Sequence, residues 1–136
     1  MDGRHKYTTD ADGRTTNVTS TITEYDLDTG VRNGYQQGKV GSCGLDDEGG
    51  HLIATKLGGP GEKINLVPQN MNLNRGNWKR MENRWEKAAA EGNKVEVDID
   101  VIYDVDSQRP KSFIVTETID GVISDTSIRF INQAGR

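Results

Sequence analysis

The sequence contains a single cysteine, Cys43, among 136 residues. One thiol cannot close an intrachain disulfide, and no Cys-x-x-Cys pair or Cys/His cluster offers zinc-ligand spacing, so neither a disulfide framework nor a structural zinc is expected. Cys43 itself reads as a small buried hydrophobe. No apolar run approaches the ~20 residues of a membrane-spanning helix, and Met1-Asp2-Gly3-Arg4-His5-Lys6 lacks a hydrophobic signal region. Hydrophobic residues are scarce at 32%, which predicts one modest core in a single domain spanning 1–136, with polar loops and a flexible N-terminal arm over 1–14.

The chain is acidic overall, with a net charge of −4, which taken alone disfavours a polyanionic partner. Its distribution argues otherwise. Residues 1–50 carry 5 basic and 9 acidic groups, residues 51–90 carry 7 and 3, and residues 91–136 carry 5 and 9. Because the Debye length is ~8 Å at physiological salt, a local basic face can attract a polyanion while the whole molecule is acidic. A solvated helix face would give the same count.

The Thr-rich segment Thr15–Tyr25, with Val18 and Ile22, predicts one exposed strand that Asp28-Thr29-Gly30 ends. Glycines at 34, 38, 41, 44, 49 and 50 exclude a helix and predict a loop ending near His51. His51-Leu52-Ile53-Ala54 predicts a short buried strand and Lys63–Val67 a second, with a loop through Gly58-Gly59-Pro60-Gly61 between them. Trp78, Met81, Trp85 and Ala88 or Ala89 recur at helical spacing, with Asn74 at the N-cap position and Gly92 beyond the end. A helix over about 75–91 follows, with those apolar residues in the core. From Val95 to Tyr103 the apolar period becomes two, Phe113–Ile119 reads as the next strand, and Asp120-Gly121 signals a hairpin before Ile123–Ile131 returns. These elements predict an α+β fold, two short strands and a helix packed with an antiparallel β-meander over about 94–131.

Three residues carry the chemistry. An imidazole has an ordinary pKa of ~6.5, so a neutral His51 can take a proton from an attacking water. Asn74 offers an amide oxygen to a hard cation such as Mg²⁺ (or Mn²⁺), which keeps most of its waters and accepts one or two protein oxygens. Glu82 lies about two helical turns beyond Asn74 and can support the water around that ion. Singly, each has an ordinary alternative: a histidine satisfying a core hydrogen bond, an N-cap asparagine, a solvated helix glutamate. His5, in the expected arm, is given the structural role.

The order of His51, Asn65-Leu66-Val67-Pro68-Gln69, Asn72-Leu73-Asn74-Arg75-Gly76-Asn77-Trp78 and Glu82 resembles the DNA/RNA non-specific endonucleases of the ββα-metal (His-Me finger) group. The likeness covers residues 44 to 90. It implies a ββα-metal core, His51 as general base, Asn74 as holder of the divalent metal, Glu82 as its support, and products with 5′-phosphates. Where the family pattern reads Asp-Arg-Gly-His, this chain has Glu48-Gly49-Gly50-His51, so the phosphate-neutralising arginine is absent at Gly49. Lys56, Arg75, Arg80 and Arg84 are the candidates to replace it, with Arg75 and Arg80 nearest in sequence to the metal site. Asn65, Gln69 and Asn72 are candidates to bind phosphate or to hold the turn. The Gly-Gly-His-Leu-Ile motif resembles a branch found as C-terminal toxin domains of large bacterial secreted proteins. That likeness implies a secreted effector acting in a target-cell cytoplasm, DNA with RNA second as substrate, and a cognate immunity protein.

Two other classes remain open. A binding module on the same fold would hold nucleic acid or protein without cleaving, and a structural β-rich fragment would bind neither metal nor nucleic acid. Metal-dependent cleavage separates the first reading from both.

Overall fold

The computed structural model describes residues 5–27, 46–123 and 127–133. Cys43, the glycines from 34 to 44, the Asp28-Thr29-Gly30 break and residues 1–4 of the expected arm lie outside them.

The fold is α+β, as the sequence predicts. Its strands are β1 (His5–Thr9), β2 (Thr15–Ile22), β3 (Asp47–His51), β4 (Leu66–Asn70), β5 (Val95–Tyr103), β6 (Pro110–Ile119), β7 (Val122–Ile123) and β8 (Ile128–Ile131). Its helices are α1 (Met71–Arg75) and α2 (Asn77–Ala90), with single 3₁₀ turns at Glu24–Asp26, Thr55–Leu57 and Lys63–Asn65. One antiparallel sheet runs β1-β2-β5-β6-β7, with β8 also paired to β6. The strands β3 and β4 form a separate antiparallel pair that matches His51 to Leu66 and Glu48 to Gln69.

The expected meander is therefore the distal half of a larger sheet. Alternation along β5 turns Val95, Val97, Ile99 and Val101 inward and Glu96, Asp98 and Asp100 outward. On that outer face Asn17 Nδ2 donates to Asp98 Oδ1 (2.7 Å) and Asp100 Oδ1 (2.8 Å). At the hairpin after β6, Asp120 and Gly121 both take positive φ, 50° and 82°, the geometry of a type I′ turn that an Asp-Gly pair favours. Inside, α2 lays Trp78, Met81, Trp85 and Ala89 on the sheet. Trp78 meets Phe113 and Phe130 at ring-centroid distances of 5.0 and 5.2 Å.

Several expectations need correction. Residues His5–Thr9 are not an arm but the edge strand β1, paired with β2. His5 is buried, its Nε2 donating to the Gly58 carbonyl (3.1 Å) and its Nδ1 lying 2.6 Å from Ser20 Oγ. Consequently β2 is an interior strand, not an exposed one. The first strand of the hairpin ends at His51 instead of starting there. Gly49 and Gly50 belong to that strand, and a Cβ on Gly50 would stand 2.3 Å from Gln69 Oε1, so this strand requires glycine. The second strand begins at Leu66, after the 3₁₀ turn. The helix expected over about 75–91 is present as α2, starting at Asn77 after a break at Gly76, where a Cβ would be 2.6 Å from the Asn72 carbonyl oxygen. Asn74 lies inside α1 and caps nothing; Asn70 is the N-cap, accepting from the backbone N–H groups of Asn72 (3.0 Å) and Leu73 (3.4 Å).

Hydrogen bonds from buried polar groups join the hairpin to the large sheet. Asn132, beyond β8, accepts from Asn70 N–H (2.7 Å) and donates to the carbonyls of Pro68 (3.1 Å) and Pro110 (2.7 Å). Arg109 grips Asp47 on β3 through two bonds of 2.6 and 3.0 Å and also donates to the Asn132 carbonyl (2.8 Å).

Candidate active site

A pocket of about 280 Å³ opens where the end of β3, the turn after it and the two helices converge. It is lined by His51, Ala54, Thr55, Lys56, Asn74, Arg75, Lys79 and Glu82. The fold thus brings together the three residues to which the sequence gives chemistry. His51 ends β3, where the strand turns into the Thr55–Leu57 3₁₀ segment. Its side chain is 8% exposed, and Nε2 lies 3.5 Å from Thr55 Oγ1.

Asn74 faces the pocket in a defined orientation. Its Nδ2 donates to Glu48 Oε1 at 2.8 Å. A carboxylate oxygen only accepts, so the amide must present its NH₂ group there and turn its carbonyl oxygen the other way. That oxygen accepts no hydrogen bond among the described residues. Glu48 is fixed in turn by Arg75, whose Nε and Nη2 donate to its two oxygens at 3.1 and 2.7 Å. Partial burial pushes the Glu48 carboxyl up, but the bonds from Arg75 and Asn74 outweigh it and hold the group below its ordinary range.

Glu82, on α2, is 8% exposed and makes no salt bridge and no full hydrogen bond among the described residues. Burial pushes its carboxyl up to about 7. The positive charges of Lys56 and Lys79 and the nearby Trp78 indole N–H, itself without a full hydrogen-bond partner among those residues, offset this in part. A buried carboxylate with so few donors is under-neutralised, and a cation placed beside it would be attracted strongly.

The donor set fits a sparsely held hard cation. Among the described residues no group of three or more His, Cys, Asp or Glu side chains is arranged to hold a metal ion. An all-protein cage is therefore absent from that part of the chain, whereas an open amide oxygen beside a buried carboxylate suits an ion that keeps most of its water.

The remaining candidates divide. Lys56 and Arg75 line the pocket, though Lys56 Nζ is engaged with Asn83 Oδ1 and lies 3.4 Å from Glu86. Arg80 donates to Asn77, and Arg84 pairs with Glu117 on β6, where Trp85 Nε1 also donates at 3.1 Å; neither arginine lines the pocket. Asn65 is fully buried. Its oxygen accepts from Tyr7 Oη (2.9 Å) and Ile53 N–H (2.9 Å), and its nitrogen donates to the carbonyls of Ile53 (2.8 Å) and Pro60 (2.9 Å). All its capacity goes to the scaffold. Gln69 is buried against Gly50, its amide atoms without partners among the described residues, and Asn72 is exposed outside the pocket lining. Thr55 and Lys79 on the pocket wall, and Glu48 behind Asn74, go beyond the sequence reading. Lys79 was detectable there: it stands three residues before Glu82 and so on the same helix face, whereas Arg80, two residues before it, does not.

Comparison with known proteins agrees with this architecture. A family model described as DNA/RNA non-specific endonuclease matches residues 1–121. The Type VII secretion system protein EssD of Staphylococcus aureus (strain USA300) is 37% identical over 125 residues, covering 86% of this chain and 20% of that protein. The chain thus spans about a fifth of the length of that curated relative. Among solved structures, NucA from Streptococcus agalactiae with magnesium ion bound superposes with a TM-score of 0.78 at 15% identity, covering 95% of this chain and 72% of NucA. Sda1 nuclease with bound zinc ion gives 0.74 at 15% identity, covering 96% and 75%. At that identity the two structures bear on the fold alone.

Proposed function

The chain belongs to the DNA/RNA non-specific endonuclease family, and from that premise we propose that it is a divalent-metal-dependent, sequence-non-specific endonuclease whose working groups are His51, Asn74 and Glu82. The observation that carries this reading is the orientation of Asn74: the Glu48 carboxylate takes its amide N–H₂, leaving the carbonyl oxygen open in the same pocket as His51 and Glu82. Asn74 Oδ1 and the Glu82 carboxylate would hold the cation. A divalent ion there supplies positive charge against the charge that develops on the phosphate and on its leaving oxygen. His51 takes the proton of the attacking water at its imidazole, and Thr55 Oγ1, 3.5 Å from Nε2, helps fix the ring. Glu82 draws the cation into a partly desolvated pocket, where each charge acts more strongly than in bulk water. Base edges need not be read, which accommodates DNA first and RNA second.

The relative named for type VII secretion supports secretion; that the chain is a bacterial effector acting in the cytoplasm of a target cell and neutralised by a cognate immunity protein is part of the same proposal. Solved neighbours with magnesium and with zinc support a divalent cation, Mg²⁺ being the one that suits these oxygen donors.

The test is digestion of plasmid DNA and of RNA with Mg²⁺ and with chelator. The unmodified chain is expected to cleave only with metal, and His51→Ala to lower the rate by roughly 1000-fold with its thermal unfolding unchanged. Undiminished cleavage by His51→Ala removes the histidine from the mechanism, and no cleavage by the unmodified chain favours a binding module.

A further inference from the structure

The arginine missing at Gly49 leaves a charge deficit at the phosphate, and the pocket contains three cations that could make it up: Lys56, Arg75 and Lys79. Two are committed. Lys56 is engaged with Asn83 and Glu86 on α2, and the Arg75 guanidinium forms a two-pronged pair with Glu48, the group that orients Asn74. Withdrawing Arg75 to a phosphate would loosen the support of Asn74. Lys79 differs from both. It is exposed on the pocket wall and makes no salt bridge or hydrogen bond among the described residues. It sits one turn before Glu82 on the same face of α2, and its charge reaches the Glu82 carboxyl. An ammonium group has three donors and no acceptor, so an unpaired one on the wall of a nucleic-acid site finds its complement in a phosphate oxygen.

We propose that Lys79 binds a non-bridging oxygen of the scissile phosphate and supplies the charge neutralisation that Gly49 cannot. This rests on the endonuclease reading above. Lys94, which does not line the pocket and pairs with Glu96 on β5 (3.6 Å), serves as a control.

The experiment compares the unmodified chain with Lys79→Ala, Lys79→Arg and Lys94→Ala in steady-state cleavage of a duplex DNA oligonucleotide with Mg²⁺. Binding of the same DNA is measured across a salt series in the His51→Ala background, where cleavage does not interfere. Lys79→Ala is expected to lower kcat by about 100-fold with a smaller change in KM. Lys79→Arg should recover most of that loss, and Lys94→Ala should match the unmodified chain. Removing Lys79 in the binding assay should reduce the slope of log K against log salt by about 0.9, the signature of one lost phosphate contact. Cleavage by the unmodified chain together with an unchanged kcat for Lys79→Ala overturns the assignment and leaves the endonuclease reading intact. A reduced slope with unchanged kcat means that Lys79 holds a different phosphate, and likewise overturns it. Absence of cleavage by the unmodified chain overturns both.

Discussion

The joint between the large sheet and the β3–β4 hairpin is tied by several side-chain hydrogen bonds, whereas working groups in the pocket a few residues away are left short of partners. Asn132, Arg109 and Asn65 each use several donors or acceptors on backbone groups or on a carboxylate. Across the pocket, the Asn74 carbonyl and the Lys79 ammonium have no hydrogen bond or salt bridge among the described residues, and the Glu82 carboxylate has no salt bridge there and only a weak approach from the Trp78 indole N–H. Saturated polar groups specify one packing, and leaving one of them short costs stability. Unsaturated groups lower stability and attract ligand. The same residue type serves both ends: Asn65 and Asn74 are alike in chemistry, yet one ties two loops together and the other keeps an oxygen open.

This contrast can be tested by weakening either side. The largest effect is expected from Asn65→Ala, which leaves the Ile53 N–H and the Pro60 carbonyl without a partner and should lower unfolding stability by about 4 kcal/mol. Denaturant titration reads the loss, while the molecules that remain folded should still cleave. Lost cleavage at unchanged stability would return Asn65 to the substrate contacts. Next is Glu82. Its folded carboxyl is raised to about 7 from an ordinary 4.5, so between those values the folded chain binds more protons than the unfolded one. The stabilisation is complete below the ordinary value and is lost as pH rises through about 7, a difference of about 3 kcal/mol. Denaturation with chelator at pH 5 and pH 8 should show this decline in the unmodified chain and a much flatter profile in Glu82→Gln. Equal slopes would mean that Glu82 is not the strained group. The smallest effect concerns Glu48→Gln. An amide in that place no longer draws both Arg75 and the Asn74 NH₂ group, so Mn²⁺ affinity measured by calorimetry should fall by about tenfold, with little change in unfolding temperature. Unchanged affinity would detach Glu48 from the orientation of Asn74.

Local patterns were sufficient for much of the fold. The period of Trp78, Met81, Trp85 and Ala89 and the alternation along Val95–Tyr103 expose one face each, so helix and strand were legible before any packing was known. What failed was decided by distant contacts. Residues His5–Thr9 have little apolar content, and the strand exists because His5 reaches Gly58 and Tyr7 reaches Asn65, more than fifty positions away. Gly49 and Gly50 read as loop because glycine weakens a strand, yet here a bulkier residue at 50 would collide with Gln69. At the site, His51, Asn74 and Glu82, singled out by motif order, line one pocket. That order could not sort the cations. Arg84 stands among the candidates until Glu117, on a strand 33 residues further along, is seen to hold it.

The outward row of Glu96, Asp98 and Asp100 has a consequence for how a nucleic acid would arrive. With that row on the face of β5 turned away from the core and Lys56, Arg75 and Lys79 lining the pocket, negative and positive charge stand apart among the described residues. A polyanion meeting the acidic side is repelled, and one near the basic side exerts a torque that swings the pocket toward it before contact. Encounters are thereby sorted by orientation, and the sorting fades as salt shortens the ~8 Å range over which the torque acts.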